Sequence, residues 1–197
     1  MLKKSILAVS FLIANTAFAA PTAWNLDTVH TSIGFSVRHL GVSKTKGKFT
    51  AYEADILADD QTGKITSVKA TVQSKSVNTD MPKRDEHLRA PDFFDATQFK
   101  TIKLVTKNIQ WTGNKVIIET DLTIKNVTKT VKFEGEYLGV QKINFGDGDK
   151  IHAGYSVKAD INRQDFGLKF NKIAEGVSVV GDLVTIELDV EIEKSAK

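Results

Sequence analysis

Val184-Thr185-Ile186-Glu187-Leu188-Asp189-Val190-Glu191-Ile192-Glu193 alternates without a break between apolar and polar residues. In an extended chain successive side chains point to opposite faces, so this stretch predicts a strand with one greasy face and one charged face. The same period runs through Val116, Ile118, Thr120, Leu122 and Ile124, through Ile151, Ala153, Tyr155, Val157, Ala159 and Ile161, and through Val68, Ala70 and Val72. It recurs in Ile33, Phe35 and Val37. Further, less regular candidates are residues 47–57, 101–109 and 128–138, where a bulge or burial on both faces would blur the alternation.

Turn signals separate the runs: Asp59-Asp60-Gln61-Thr62-Gly63, Thr112-Gly113-Asn114 and Gly146-Asp147-Gly148-Asp149. About eight strands with almost no helical pattern between them predict an all-β antiparallel barrel or sandwich. One segment departs from this. Pro82 to Arg89 is a run of helix formers opened by proline, with Thr79 or Asp80 as candidate cap and Pro91 as the stop. Such a helix can lie across one mouth of a barrel. Carboxylates at 119, 121, 187, 189, 191 and 193 occupy the polar face, which a lipid-facing outer-membrane barrel would not tolerate. The apolar face therefore points inward.

The 197 residues carry 27 Lys and Arg against 24 Asp and Glu, a net charge of +3 that is too small for a nucleic-acid footprint. Cysteine is absent, which excludes disulfides, thiolate metal sites and thiol nucleophiles. The start, Met1-Leu2-Lys3-Lys4, then an apolar run to Ala14, then Ala17-Phe18-Ala19, has the order of a secretory signal peptide. Residues 1–19 are read as that signal, cleaved after Ala19, and 20–197 as one domain placed in the periplasm or secreted. No later stretch is apolar enough for an integral span.

An eight-stranded barrel either fills itself with side chains or holds one small ligand, and periodicity does not separate the two. The candidate mouth is the segment where Arg84, Asp85, His87 and Arg89 crowd beside Phe93 and Phe94. An arginine fork suits an anionic head group, while local ion pairing is the structural alternative. The four histidines, at 30, 39, 87 and 152, show no metal-ligand spacing, and no nucleophile elbow or P-loop occurs. Catalysis, a metal and a cofactor are not expected.

Motifs then extend the reading. His30-Thr31-Ser32-Ile33-Gly34-Phe35-Ser36-Val37-Arg38-His39-Leu40-Gly41, Ser76-Val77-Asn78-Thr79, Arg84 to Arg89, Asp92-Phe93-Phe94-Asp95, residues 121–124 with 127–129, and Asn162-Arg163-Gln164-Asp165-Phe166-Gly167 follow in order. Together they resemble the YceI-like family of secreted bacterial polyisoprenoid-binding, lipocalin-like proteins. Asn126, Thr130 and Lys100 depart from the family pattern at turn and strand-edge positions. The resemblance implies an extended lipocalin-like barrel that holds a long-chain isoprenoid or other amphiphilic lipid in its lumen. It also implies a periplasmic carrier. Arg84, His87 and Arg163 would then border the head group, and Phe35, Phe93, Phe94 and Phe166 would line the channel. Two alternatives are a lipid-acting enzyme using His87 and Asp85, and a stress-related interaction module with a filled barrel. Monomer and homodimer are both open.

Overall fold

The computed structural model describes residues 20–196 apart from Phe145 and Asp147. Residues 1–19, the expected signal peptide, lie outside the described residues. In chain order the elements are β1 (Thr22–His39), β2 (Ser43–Phe49), β3 (Tyr52–Ala58), β4 (Ile65–Gln73), β5 (Val77–Asn78), α1 (Pro82–Arg89), β6 (Thr101–Thr112), β7 (Lys115–Ile124), β8 (Val127–Asn144), β9 (Asp149–Asn162), β10 (Ile173–Ala174), β11 (Val177–Ser178) and β12 (Val180–Ser195). Short 3-10 turns cover Ser74–Ser76 and Arg163–Phe166.

Sequential neighbours pair antiparallel from β3 through β4, β6, β7, β8 and β9 to β12, and β12 pairs with β1, which returns to β3. Eight strands thus close into a barrel, whose wall has free edges only where β1 and β3 part. Val184–Ile192 pairs without a break with β9 on one side and, across one bulge, with β1 on the other, its even-numbered residues inward.

Two strand expectations need correction. Residues 47–57 are not one strand. The chain breaks at Thr50-Ala51, so that β2 pairs with the second half of β1 (Ile33↔Phe49) and β3 with the first (Trp24↔Ile56). The Tyr52 hydroxyl closes the fork by donating to the Thr31 carbonyl at 2.6 Å. β1 itself starts ten residues earlier than the Ser32–Arg38 alternation shows. Its pairing to β12 jumps from Asp27↔Glu191 to Ser32↔Asp189, a bulge that breaks the two-residue period and hides the strand from sequence.

The helix forms where expected and ends at Arg89, with Ala90 extended ahead of Pro91. Its cap differs. Met81 holds the N-cap position without a side-chain bond, so neither Thr79 nor Asp80 caps it. The relation is reversed: Asp85 inside the helix accepts from the Thr79 amide (2.8 Å) and hydroxyl (2.5 Å). Arg89 donates to the carbonyls of Lys75 and Val77 and ties α1 to β5, and β5 pairs with β2. The helix, with β5, closes the gap that opens where β2 leaves the wall.

Candidate functional site

The inward residues of the barrel are not packed alike along its axis. At the end away from α1, Trp24, Ala58, Val116, Ala153 and Ile192 are each at most 3% exposed. Trp111, Tyr137 and Tyr155 cluster there with ring centroids 5.4–6.4 Å apart. The Asp59–Gly63 turn is pulled over this end: the Tyr137 hydroxyl donates to the Thr62 carbonyl and the Tyr155 hydroxyl to that of Gly63. Gly63 has φ +66° and a Cβ on it would fall 2.6 Å from the Ala153 Cβ, so only glycine seats the turn this closely. Burial, with Tyr137 beside it, pushes the Tyr155 phenol well above its ordinary pKa.

Toward α1 the inward residues stop meeting one another. Ile33, Leu104, Ile186, Leu188 and Val190 face the lumen yet stay only half-buried. Between them lies a cavity of about 440 Å³. Its volume falls within the 300–1,000 Å³ typical of small-molecule sites, and its wall is almost wholly hydrocarbon. Tyr155 and Ile192 lie at the plugged end of this wall, and Arg38, His39, Thr45, Arg84 and His87 give the other end its polar groups.

The expected site residues separate into three groups. Phe35, Phe93 and Phe94 line the cavity, and so do Arg84 and His87. Phe35 lies over Gly47, where an added Cβ would come within 2.4 Å of its ring and 2.7 Å of Thr79. Glycine at 47 therefore lets β2 sit flat against the mouth. Arg84 spends Nε on the Thr79 hydroxyl (2.7 Å) and Nη2 on the Thr79 carbonyl (2.8 Å), while Nη1 makes no hydrogen bond to another described residue. The His87 ring stands edge-on to Phe93 and Phe170, each 5.0 Å away, and its Nε2 contacts Asp92 at 3.1 Å.

Arg163 also touches the cavity wall, but its side chain is 3% exposed and all three nitrogens are engaged. They donate to the carbonyls of Gly181, Leu168 and Val180 and to Asp182. Burial lowers its pKa while Asp182 works in the other direction. The residue pins the start of β12 to the end of β9. Phe166, 2% exposed, packs in the core and is not among the lining residues. The proposed His87 and Asp85 couple is not assembled, since Asp85 is held by Thr79 and His87 by Asp92. The cavity likewise replaces the filled barrel that one alternative required.

Comparison with known proteins agrees with the motif series: the YceI-like domain matches residues 24–192. The chain belongs to the YceI-like family. It is similar to a UPF0312 protein of Staphylococcus aureus (strain N315), 36% identical over 176 residues that cover 89% of this chain and 96% of the relative. Among solved structures, a YceI protein of Campylobacter jejuni superposes with a TM-score of 0.65 at 31% identity, covering 87% of this chain and 96% of the other. A polyisoprenoid binding domain from Saccharophagus degradans superposes at 0.60, with 13% identity over 86% of this chain and 97% of that one, and shows the shared fold alone.

Within this YceI-like barrel several lining residues escape a reading by motif. Phe170 stacks on Phe93 at 5.0 Å and completes the aromatic wall beside His87. It follows the Phe166 motif by four residues, and nothing local marks it. Arg38 and His39 lay inside a recognised motif but read as the end of a strand, and only barrel closure brings them to the same rim as Arg84.

Proposed function

We propose that this protein binds and carries a long-chain amphiphile of the isoprenoid type, in the periplasm or after secretion, with its apolar tail in the lumen and its polar head at the α1 mouth. The observation that carries the reading is the cavity itself: apolar along its length, plugged at one end, polar at the other. Burial of a chain methylene contributes about 0.8 kcal/mol, so a ten-carbon tail supplies roughly 8 kcal/mol before the costs of ordering it. The tail contacts are non-directional, so selectivity along the chain is loose. The head group meets Arg84 Nη1, Arg38, His39 and His87, which favours an anionic or strongly hydrogen-bonding head. The shared fold with the polyisoprenoid binding domain of Saccharophagus degradans supports the class of ligand.

The test is to extract the purified mature protein with organic solvent and identify what it releases by mass spectrometry. One amphiphile per chain, displaced by added isoprenyl phosphate, is the expected result. A chain that releases no lipid and binds none on titration with isoprenyl phosphates or fatty amides overturns the reading. Ala70→Phe places a ring in the lumen between β3 and β6 and abolishes binding while the fold, read by circular dichroism, persists.

A further inference from the structure

On the outer wall, away from the cavity, three strands bring together side chains that the function above does not use. Asp27 on β1 stands directly across from Glu191 on β12, and Glu191 is in turn opposite Gly154 of β9, two residues from His152. The His152 Nδ1 lies 2.8 Å from Glu191 Oε1. His30 Nδ1 lies 2.9 Å from Asp27 Oδ2. One donor atom from each of Asp27, His152 and Glu191 falls within 4.8 Å of the other two. All three residues are half-buried although they face outward. The β1 bulge accounts for part of this: the Val29 and His30 amides donate to Asp27 Oδ1, and the Thr31 hydroxyl accepts from the Glu191 amide at 3.1 Å.

We propose that Asp27, His152 and Glu191, joined by His30 from the bulge, form a binding site for one late first-row divalent cation, with Zn²⁺ as the best match. The donor set is two imidazole nitrogens and two carboxylate oxygens. Zn²⁺ takes four such ligands at about 2.0–2.2 Å, in a tetrahedron that places neighbouring donors roughly 3.3 Å apart. The existing contacts at 2.8 and 2.9 Å already lie near that spacing, and drawing together the Asp27, His152 and Glu191 donors, now within 4.8 Å of one another, needs shifts of up to about 1.5 Å, while His30 would swing in from the exposed bulge. Ca²⁺ wants six to eight oxygens and Mg²⁺ an octahedron of them, which a set half made of imidazole does not provide. Two carboxylates neutralise the dication. Each ring nitrogen that now faces a carboxylate would give up that contact, and its proton where it carries one, to the metal. The bound ion would staple the bulge of β1 to β9 and β12, a link between strands far apart in sequence.

The experiment uses tag-free mature protein, stripped with chelator and dialysed against Zn²⁺. The expected result is one Zn²⁺ per chain, a melting temperature that climbs with Zn²⁺ concentration, and X-ray absorption showing only nitrogen and oxygen ligands. Asp27→Asn, His152→Ala and Glu191→Gln each weaken binding by roughly tenfold or more. Asp189→Asn, on the same face but outside the cluster, leaves it unchanged. His30→Ala covers the case in which a half-buried variant misfolds, because the His30 side chain is 63% exposed. It weakens Zn²⁺ affinity and leaves the metal-free melting temperature where it was. No stoichiometric binding to the wild-type chain, or full affinity in folded His152→Ala or in His30→Ala, overturns the site.

Discussion

One barrel, built from the same eight strands, is solid at one end and hollow at the other. β12 shows both states along a single alternating run. Ile192 is fully buried beside the plug, whereas Ile186, Leu188 and Val190 on the same face stay partly exposed to empty lumen. The difference comes from partners and not from the strand. At the plugged end Trp24, Tyr137 and Tyr155 supply bulk, and the Asp59–Gly63 turn seals it with backbone carbonyls that the phenols can reach. In the hollow half small residues such as Ala54 and Ala70, paired across β3 and β4, leave the volume unfilled. A barrel whose strands are held by hydrogen bonds to their neighbours does not need a filled centre everywhere.

The sharpest way to break this contrast is to remove bulk from each half. Trp24→Ala costs about 3–5 kcal/mol of stability, the range for deleting a large buried aromatic. Phe35→Ala, on a ring that already borders a void, costs clearly less and chiefly weakens ligand binding. Equal costs in urea melts would mean that the two halves are packed alike.

The two arginines near the mouth allow a second separation. Arg163→Gln strands one buried and two half-buried carbonyls and lowers stability on the order of 3 kcal/mol, since each unsatisfied buried group costs about 1–3 kcal/mol and Gln recovers some of the bonds. Arg84→Gln, with one nitrogen free for a head group, lowers affinity for an isoprenyl phosphate by roughly tenfold, the equivalent of about 1.4 kcal/mol. Calorimetry and ligand titration on both variants distinguish an architectural arginine from a binding one.

Adding volume inverts the first test. Ala153→Leu overpacks the plug and costs about 1–3 kcal/mol. Ala70→Leu grows into empty lumen and changes stability by less than about 1 kcal/mol, while it shortens the tail the protein accepts. A large loss at Ala70 would show that the lumen collapses in solution.

The smallest effect concerns acid. Asp59 Oδ1 accepts from the Thr62 amide and hydroxyl and from the Gln61 amide, and these bonds, the Thr62 amide foremost, hold its pKa below the ordinary carboxylate value. Its folded value is the lower one, so the bonds stabilise the turn above the unfolded pKa and are lost as pH falls through the folded one. The plug therefore loosens in acid, by an amount that solvent screening keeps small. Trp111 fluorescence followed from pH 6 to pH 2 should show this, and Asp59→Asn should flatten it.

Much of the wall was legible because alternation is a direct projection of strand geometry onto sequence. Val116–Ile124, Ile151–Ile161 and Val184–Glu193 read correctly for that reason, and Pro82 with Pro91 marked the helix by fixing backbone angles at its two ends. The first half of β1 was hidden because its bulge breaks the period, and β2 and β3 merged because no Gly or Pro marks Thr50-Ala51. In the site, Phe93, Phe94, Arg84 and His87 were placed near one another by the helix and its flanks, and Phe35 joined them through the motif series. Arg163 and Phe166 came from a motif whose residues turn inward to hold β9 and β12 together.

By itself the sequence determined which face of each strand is apolar, that no disulfide holds the strands, and where the only α-helix among the described residues falls. These properties depend on neighbours along the chain. Only the tertiary structure decided that part of the interior is empty, that every nitrogen of the arginine at 163 is engaged, and that residues 27, 152 and 191 share one spot on the wall. A two-residue period reports which way a side chain points but not how much space it finds there, and that space is set by residues a hundred or more positions away.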